Sequence, residues 1–160
     1  QAFALVPDYL RTAEGDRGVR NLMDTGVQLG RRFRALKLWM ALRSFGAEGL
    51  RAVYREHLRL ARLFASWVDG HPDFERRASV PFSVVCFRAV HASVSPLQFD
   101  ELNLKLIDAV NARGDVYLSH TRLNGAITIR LAVGHLRTTE AHVSRAWALL
   151  TESLAAILRS

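Results

Sequence analysis

Apolar residues recur along the chain with two different periods, and the changes between them divide it into elements. From Ala47 to Asp69 the positions Leu50, Val53, Tyr54, Leu58, Ala61, Phe64, Ala65 and Val68 follow i, i+3, i+4 spacing, which predicts a helix with one apolar side. Its other side carries Arg51, Arg55, Arg59 and Arg62, and Gly70-His71-Pro72 ends it. The preceding segment, 28–45, also reads as a helix, with Gly46 as its C′ residue, but its pattern differs. There Phe33, Leu36, Leu38, Trp39, Met40, Leu42 and Phe45 surround the helix axis, and Arg31, Arg32, Arg34, Lys37 and Arg43 are scattered among them. A nucleic-acid stripe or a membrane-surface helix needs segregated faces, which this segment lacks. A helix apolar nearly all round is one that is covered, so 28–45 predicts a partner on most of its sides.

Downstream the period shortens. Val80 to Val90 is rich in β-branched and aromatic residues, and its VVCF centre suits a strand covered on both faces. Ser95 is expected as an N-cap, with Pro96 at N1, Gln98 completing a capping box, and Asp100 and Glu101 near the first turn of a helix that ends at Arg113-Gly114. Two strands, 116–121 and 126–133, are joined through Asn124-Gly125 as a hairpin. A last helix begins near Thr138 or Thr139 and buries Val143, Trp147, Leu150, Leu154 and Ile157. Residues 1–27 hold Gly15, Gly18 and Gly26 with no sustained period and read as a loop or mobile arm. The order α-α-β-α-β-β-α predicts an α/β (α+β) fold over 28–160, an open, mainly antiparallel sheet with helices packed on it.

Composition narrows the classes. With 160 residues, 49% of them apolar and 23% charged, the chain suits one folded domain. The formal charge of +7 brings nucleic acid into view, and all but Lys37 and Lys105 of the 22 cationic residues are arginine. A stripe such as Arg51, Arg55, Arg59 and Arg62, opposite a clean apolar face, is ordinarily a solvated one. A basic α/β binding module for nucleic acid or an acidic partner therefore stands as the alternative reading. The single cysteine, Cys86, allows no intrachain disulfide, fits a reducing cytoplasm, and at a strand centre is expected to be a small core residue. No run of roughly 20 apolar residues and no signal-like start is present, so no membrane partner is expected. No G-x-G-x-x-G, P-loop, HExxH, CxxC or G-x-S-x-G occurs. His57, His71, His91, His120, His135 and His142 are scattered, and each reads as a surface or hydrogen-bonded histidine.

Several blocks are more specific. LGRRFRALKLWMALRSFGAEGL (29–50) resembles the helix that opens the small C-terminal domain of group II pyridoxal-phosphate-dependent decarboxylases, the aromatic-L-amino-acid decarboxylase family. HLRLARLF (57–64), FE (74–75), VVCFR (84–88), LNLKLIDAVNARGDVYLSHT (102–121), ITIRLAVGH (127–135) and TTEAHVSRAW (138–147) follow in that family's order, and PDYL (7–10) resembles its tyrosine-bearing active-site loop. Only 12–28 matches poorly, which leaves the loop's details open. The resemblance spans nearly the whole chain.

It implies the small domain of a fold-type I enzyme that uses pyridoxal 5'-phosphate to remove carbon dioxide from an L-amino acid, commonly an aromatic one, leaving an amine; some relatives form aldehydes instead. It further implies a homodimeric parent whose large cofactor-binding domain, with the cofactor-holding lysine, lies outside this chain, so that the chain alone is inactive. Lys37 lacks the His-Lys context of that lysine, and Lys105 reads as a solvated helix residue. By the same resemblance Tyr9 is the loop tyrosine that protonates the substrate carbon. Gly30 leaves room for a bulky substrate where the pocket meets the helix. Arg31 and Arg130 are weaker candidates: Arg130 is implied to lie on the sheet facing the cofactor domain, and a structural ion pair is the plainer role for both.

Overall fold

The computed structural model describes residues 33–159. Helix α1 spans Arg34–Asp69, and its helical geometry is broken at Gly46, where φ is 62° and ψ 178°. That backbone region is essentially closed to residues with a Cβ, so the glycine is where one helical stretch, 34–45, gives way to another, 47–69. The chain divides there into two compact units, 1–46 and 47–160. Within the first, Phe33 precedes the helix, and the expected turns over 28–32 lie outside the described residues.

The second unit holds all the described strands. β1 (Phe74–Arg76), β2 (Val84–Ala89), β3 (Ser119–Leu123) and β4 (Ala126–Ala132) form one antiparallel sheet in the order β1-β2-β4-β3. A 3-10 turn, Pro96–Gln98, leads into α2 (Phe99–Ala112), and α3 (Glu140–Ile157) follows the sheet. The registers pair Val85 with Leu131, Phe87 with Ile129 and Cys86 with Arg130. Alternation then puts Val85, Phe87 and Ala89 with Ile127, Ile129 and Leu131 on one face. All six are buried, in a core with Leu60, Phe64 and Val68 of α1, Leu106 and Val110 of α2, and Leu149 and Leu150 of α3.

Phe64 sits at the centre of that core. Its ring meets Phe87 at 5.2 Å and Trp147 at 5.5 Å, both edge-on, and Phe74 meets Trp147 at 5.1 Å. Edge-to-face aromatic contacts at these separations add to the stabilisation from burial itself. Asn103 of α2 is wholly buried and takes the place of a missing strand neighbour for Ala89: its Oδ1 accepts from the Ala89 N–H at 2.7 Å, and its Nδ2 donates to the Ala89 carbonyl at 2.9 Å and the Phe99 carbonyl at 2.7 Å.

Three expectations are corrected. β2 is fully covered on one face and only partly on the other: Val84, Cys86 and Arg88 alternate with the buried set and are half-buried, so Cys86 is not a core residue. The Ser95–Gln98 capping box does not form; Ser95 N-caps the 3-10 turn without a side-chain bond, and the Gln98 N–H donates to the Ser95 carbonyl at 2.8 Å. A capping box forms instead at Thr139, with His142 at N3 where Glu or Gln is usual. Finally, β1 is an extra edge strand that no periodicity announced. Around the hairpin the expectation holds, with Asn124 at φ 51° and Gly125 at φ 79°, the positive pair that a two-residue type I′ turn requires.

Candidate functional site

Of the four candidate residues, Tyr9, Gly30 and Arg31 lie outside the described residues. Arg130 is on β4, flanked in register by Cys86 on β2 and Ser119 on β3. All three point away from the helices, on the face where β2 is only half-covered. Arg130 is half-buried and has no hydrogen bond or ion pair with another described residue, so the expected structural ion pair is not found there. Its face also carries Glu75 opposite Arg88. The Glu75 carboxylate accepts from Arg88 Nε at 2.5 Å and from Arg77 at 2.9 Å, while the buried Arg77 Nε has no partner. The Arg88 guanidinium also lies 5.3 Å from the centre of the Phe99 ring. Arg77 and Arg88 thus share one carboxylate on a partly covered sheet face, and Arg130 has no carboxylate partner among the described residues.

Both lysines of the chain are exposed. Lys105 is exposed and bonded to Glu101 at 2.7 Å, a contact that holds the Glu101 carboxyl below its ordinary range. Lys37 stands in the exposed 34–45 stretch. Among the described residues no cluster of His, Cys, Asp and Glu could hold a metal ion. No described helix is long and apolar enough to cross a membrane.

The arginine stripe of α1 is partly spent. Arg51 bonds Glu48, and Arg59 is held between Glu56 at 2.8 Å and Glu140 at 3.0 Å. The hydrogen bond to Arg59 lowers the Glu56 carboxyl, and the two carboxylates raise the already high affinity of Arg59 for its proton. These contacts are on the surface, where solvent screens them.

The described residues form a four-stranded antiparallel sheet with helices packed on one face. The comparisons with known proteins carry that to a family. Residues 1–90 match the family described as "Pyridoxal-dependent decarboxylase conserved domain", and the chain belongs to it. It is 38% identical to a phenylacetaldehyde synthase of Arabidopsis thaliana over 98% of this chain and 32% of that protein. It is 39% identical to a tryptophan decarboxylase of Camptotheca acuminata over 100% of this chain and 32% of that one. The crystal structure of Oryza sativa TDC with PLP and tryptamine superimposes with a TM-score of 0.83 at 35% identity, covering 97% of this chain and 33% of the other. The chain spans about a third of the length of the relatives it matches.

Proposed function

We propose that this chain is the small C-terminal domain of a pyridoxal-phosphate-dependent decarboxylase that converts an L-amino acid of the aromatic class into an amine and carbon dioxide. The observation that carries the reading is the superposition of nearly the whole chain on one third of a decarboxylase-family enzyme solved with PLP and tryptamine. The large domain, with the cofactor-holding lysine, lies outside the chain in this reading. The exposure of both Lys37 and Lys105 supports that division. The cofactor, when bound there, supplies the sink for the electrons left at the substrate carbon.

The chain's own contribution is to shape and close the site. Tyr9 delivers the proton to that carbon from a phenol held within hydrogen-bond reach. Gly30 leaves space for a ring, Arg31 is a weaker candidate whose plainer role is a structural ion pair, and Arg130 engages a carboxylate or the loop. A half-buried guanidinium without a partner among the described residues supports the last role, because leaving such a charge uncompensated is costly. The parent is a homodimer, and the cytoplasm is the compartment that fits the one free thiol, Cys86. Against the alternative of a nucleic-acid module stands the commitment of Arg51 and Arg59 to carboxylates.

Pyridoxal phosphate added to the 160-residue chain should give neither Schiff-base absorbance nor a borohydride-trapped adduct. A stable adduct on Lys37 or Lys105 would overturn the division of labour. Grafted in place of the matching third of the Oryza sativa enzyme, the chain should support amine release from an aromatic amino acid. In that chimera Tyr9→Phe should lower the rate by about 10²-fold, the scale of one positioned acid. A chimera that folds, loads cofactor and releases no amine from any aromatic amino acid would sink the proposal.

A further inference from the structure

On the side of the sheet away from the core, guanidiniums outnumber carboxylates. Alternation along the paired strands puts Glu75, Arg77, Cys86, Arg88, Arg130 and Ser119 on that side. The Arg77 N–H donates to the Cys86 carbonyl at 2.8 Å, which extends the pairing one residue past β1. Arg77, Cys86, Arg130 and Ser119 therefore form one row across the sheet, and Glu75 and Arg88 are paired in the next row.

Charge pairing within this group is incomplete. Glu75 serves both Arg88 and Arg77, whose side chains are only 18% and 23% exposed. Arg77 Nε is still left without an acceptor, the one buried side-chain nitrogen or oxygen in that condition among the described residues. Arg130, in the same row, is half-buried and has no acceptor among those residues either. Asp73, the next carboxylate along the chain, lies 3.8 Å from His91 Nε2. A guanidinium cannot relieve the deficit by giving up its proton, because it keeps its charge at any pH a folded protein meets. Withdrawing it from water without an acceptor is costly, and that cost is recovered when an acceptor arrives from outside the group.

The chemistry of the missing acceptor follows from the donors. A guanidinium presents N–H groups in a planar fork that matches the paired oxygens of a carboxylate or a phosphate. Glu75 shows that the face accommodates such a group, its Oε1 accepting from Arg88 Nε at 2.5 Å and from Arg77 Nη1 at 2.9 Å. The Ser119 hydroxyl, the cross-strand neighbour of Arg130, adds a donor that can turn to suit an oxygen. The stripe on α1 offers no equivalent, since Arg51 and Arg59 are already bonded to carboxylates and are 60% and 50% exposed.

We propose that Arg77 and Arg130, with Arg88 and Ser119 beside them, form an oxyanion-binding site that takes a carboxylate or phosphate group, and that Glu75 is its internal competitor. For Arg130 this rests on the carboxylate role it has in the decarboxylase reading. The part played by Arg77 and the competition with Glu75 lie beyond that reading.

The test follows the arginine Nε–H resonances of the isotope-labelled 160-residue chain, which report each guanidinium separately. Inorganic phosphate and, in a second arm, succinate are titrated in place of chloride at constant ionic strength. Arg77 and Arg130 should shift together along one saturating curve that Arg51 does not follow. Saturation with phosphate alone assigns the site to a phosphate group, with succinate alone to a carboxylate, and with both to their shared oxyanion chemistry. Arg130→Gln should weaken the binding seen at Arg77 about tenfold, the scale of one charge-assisted hydrogen bond. Glu75→Gln should tighten it, and these opposite signs separate a lost contact from general damage to the fold. Drift with both anions that never saturates and that Arg51 shares overturns the site. So does an Arg77 curve left unchanged by both substitutions. Failure here leaves amine release by the chimera untouched, and a silent chimera leaves the anion curves untouched, so the two readings fail separately.

Discussion

Asn103 holds the end of the sheet. It answers three backbone groups from inside the core, and no water can substitute for it where the side chain is wholly buried. Asn103→Leu keeps the volume and strands the Ala89 amide and carbonyl, so it should cost about 2–4 kcal/mol, one to two unsatisfied buried groups, in urea denaturation. Asn111 does the same for the start of β3, accepting from the Leu118 N–H at 2.7 Å and donating to its carbonyl at 2.9 Å. Neither was visible in the sequence, because an asparagine at a helical position reads as surface until tertiary structure brings a strand end to it. Cys86 and Arg130 illustrate the same limit. The unbroken apolar run VVCF read as a strand covered on both faces; which face Cys86 and Arg130 share, and how far it is covered, depends on the register and on which helices arrive.

At the scale of elements, what could be read was what is decided locally. Asn124-Gly125 specifies its turn through the φ preferences of two residues, and the hairpin formed where expected. A Cβ at Gly125 would point into open space, yet the φ of 79° penalises any side chain, so Gly125→Ala should destabilise by about 1 kcal/mol in thermal melts without altering the fold. The three-residue β1 could not be read, because it exists only by pairing Phe74 with Ala89 and Arg76 with Phe87. The misplaced capping box has a specific cause. The Ser-Pro start closes a tight 3-10 turn through the backbone, Gln98 N–H to the Ser95 carbonyl, with no side-chain bond at Ser95. The helices face a different constraint, packing around one ring. Phe64→Ala removes the centre of the aromatic cluster and should cost about 3–5 kcal/mol, read from the denaturation midpoint.

For the molecule as a whole, the 34–45 stretch and the residue before it carry a concentration of uncovered apolar surface. Phe33 is 74% exposed, Leu38 63% and Trp39 58%, more than a folded chain ordinarily leaves open in one place. The lack of segregated faces in the sequence pointed to a covered helix, and these exposed residues are among those that pattern singled out. The isolated chain should therefore self-associate with rising concentration in sedimentation velocity, and Leu38→Glu with Trp39→Glu should shift it toward monomer while leaving the melting of 47–160 unchanged. Fold and family were legible because they are written in long blocks of pattern. The candidate site was less so: Tyr9, Gly30 and Arg31 lie outside the described residues, and the functional geometry requires groups that belong to other parts of a larger enzyme in the proposed reading.

The placement of the three tryptophans supplies an optical handle on both units. Trp67 and Trp147 are half-buried, with ring centres 6.4 Å apart and planes inclined at 39°, close enough for their transitions to couple. Trp39 stands in the other unit with more than half its surface in solvent. Excited together, the three should emit as a blue, poorly quenched pair and a red component accessible to iodide. Trp39→Phe would remove the second and leave the first. Any covering of the 34–45 stretch would then be seen as a loss of iodide quenching, while the paired signal kept its own record of whether the sheet and its helices stay folded.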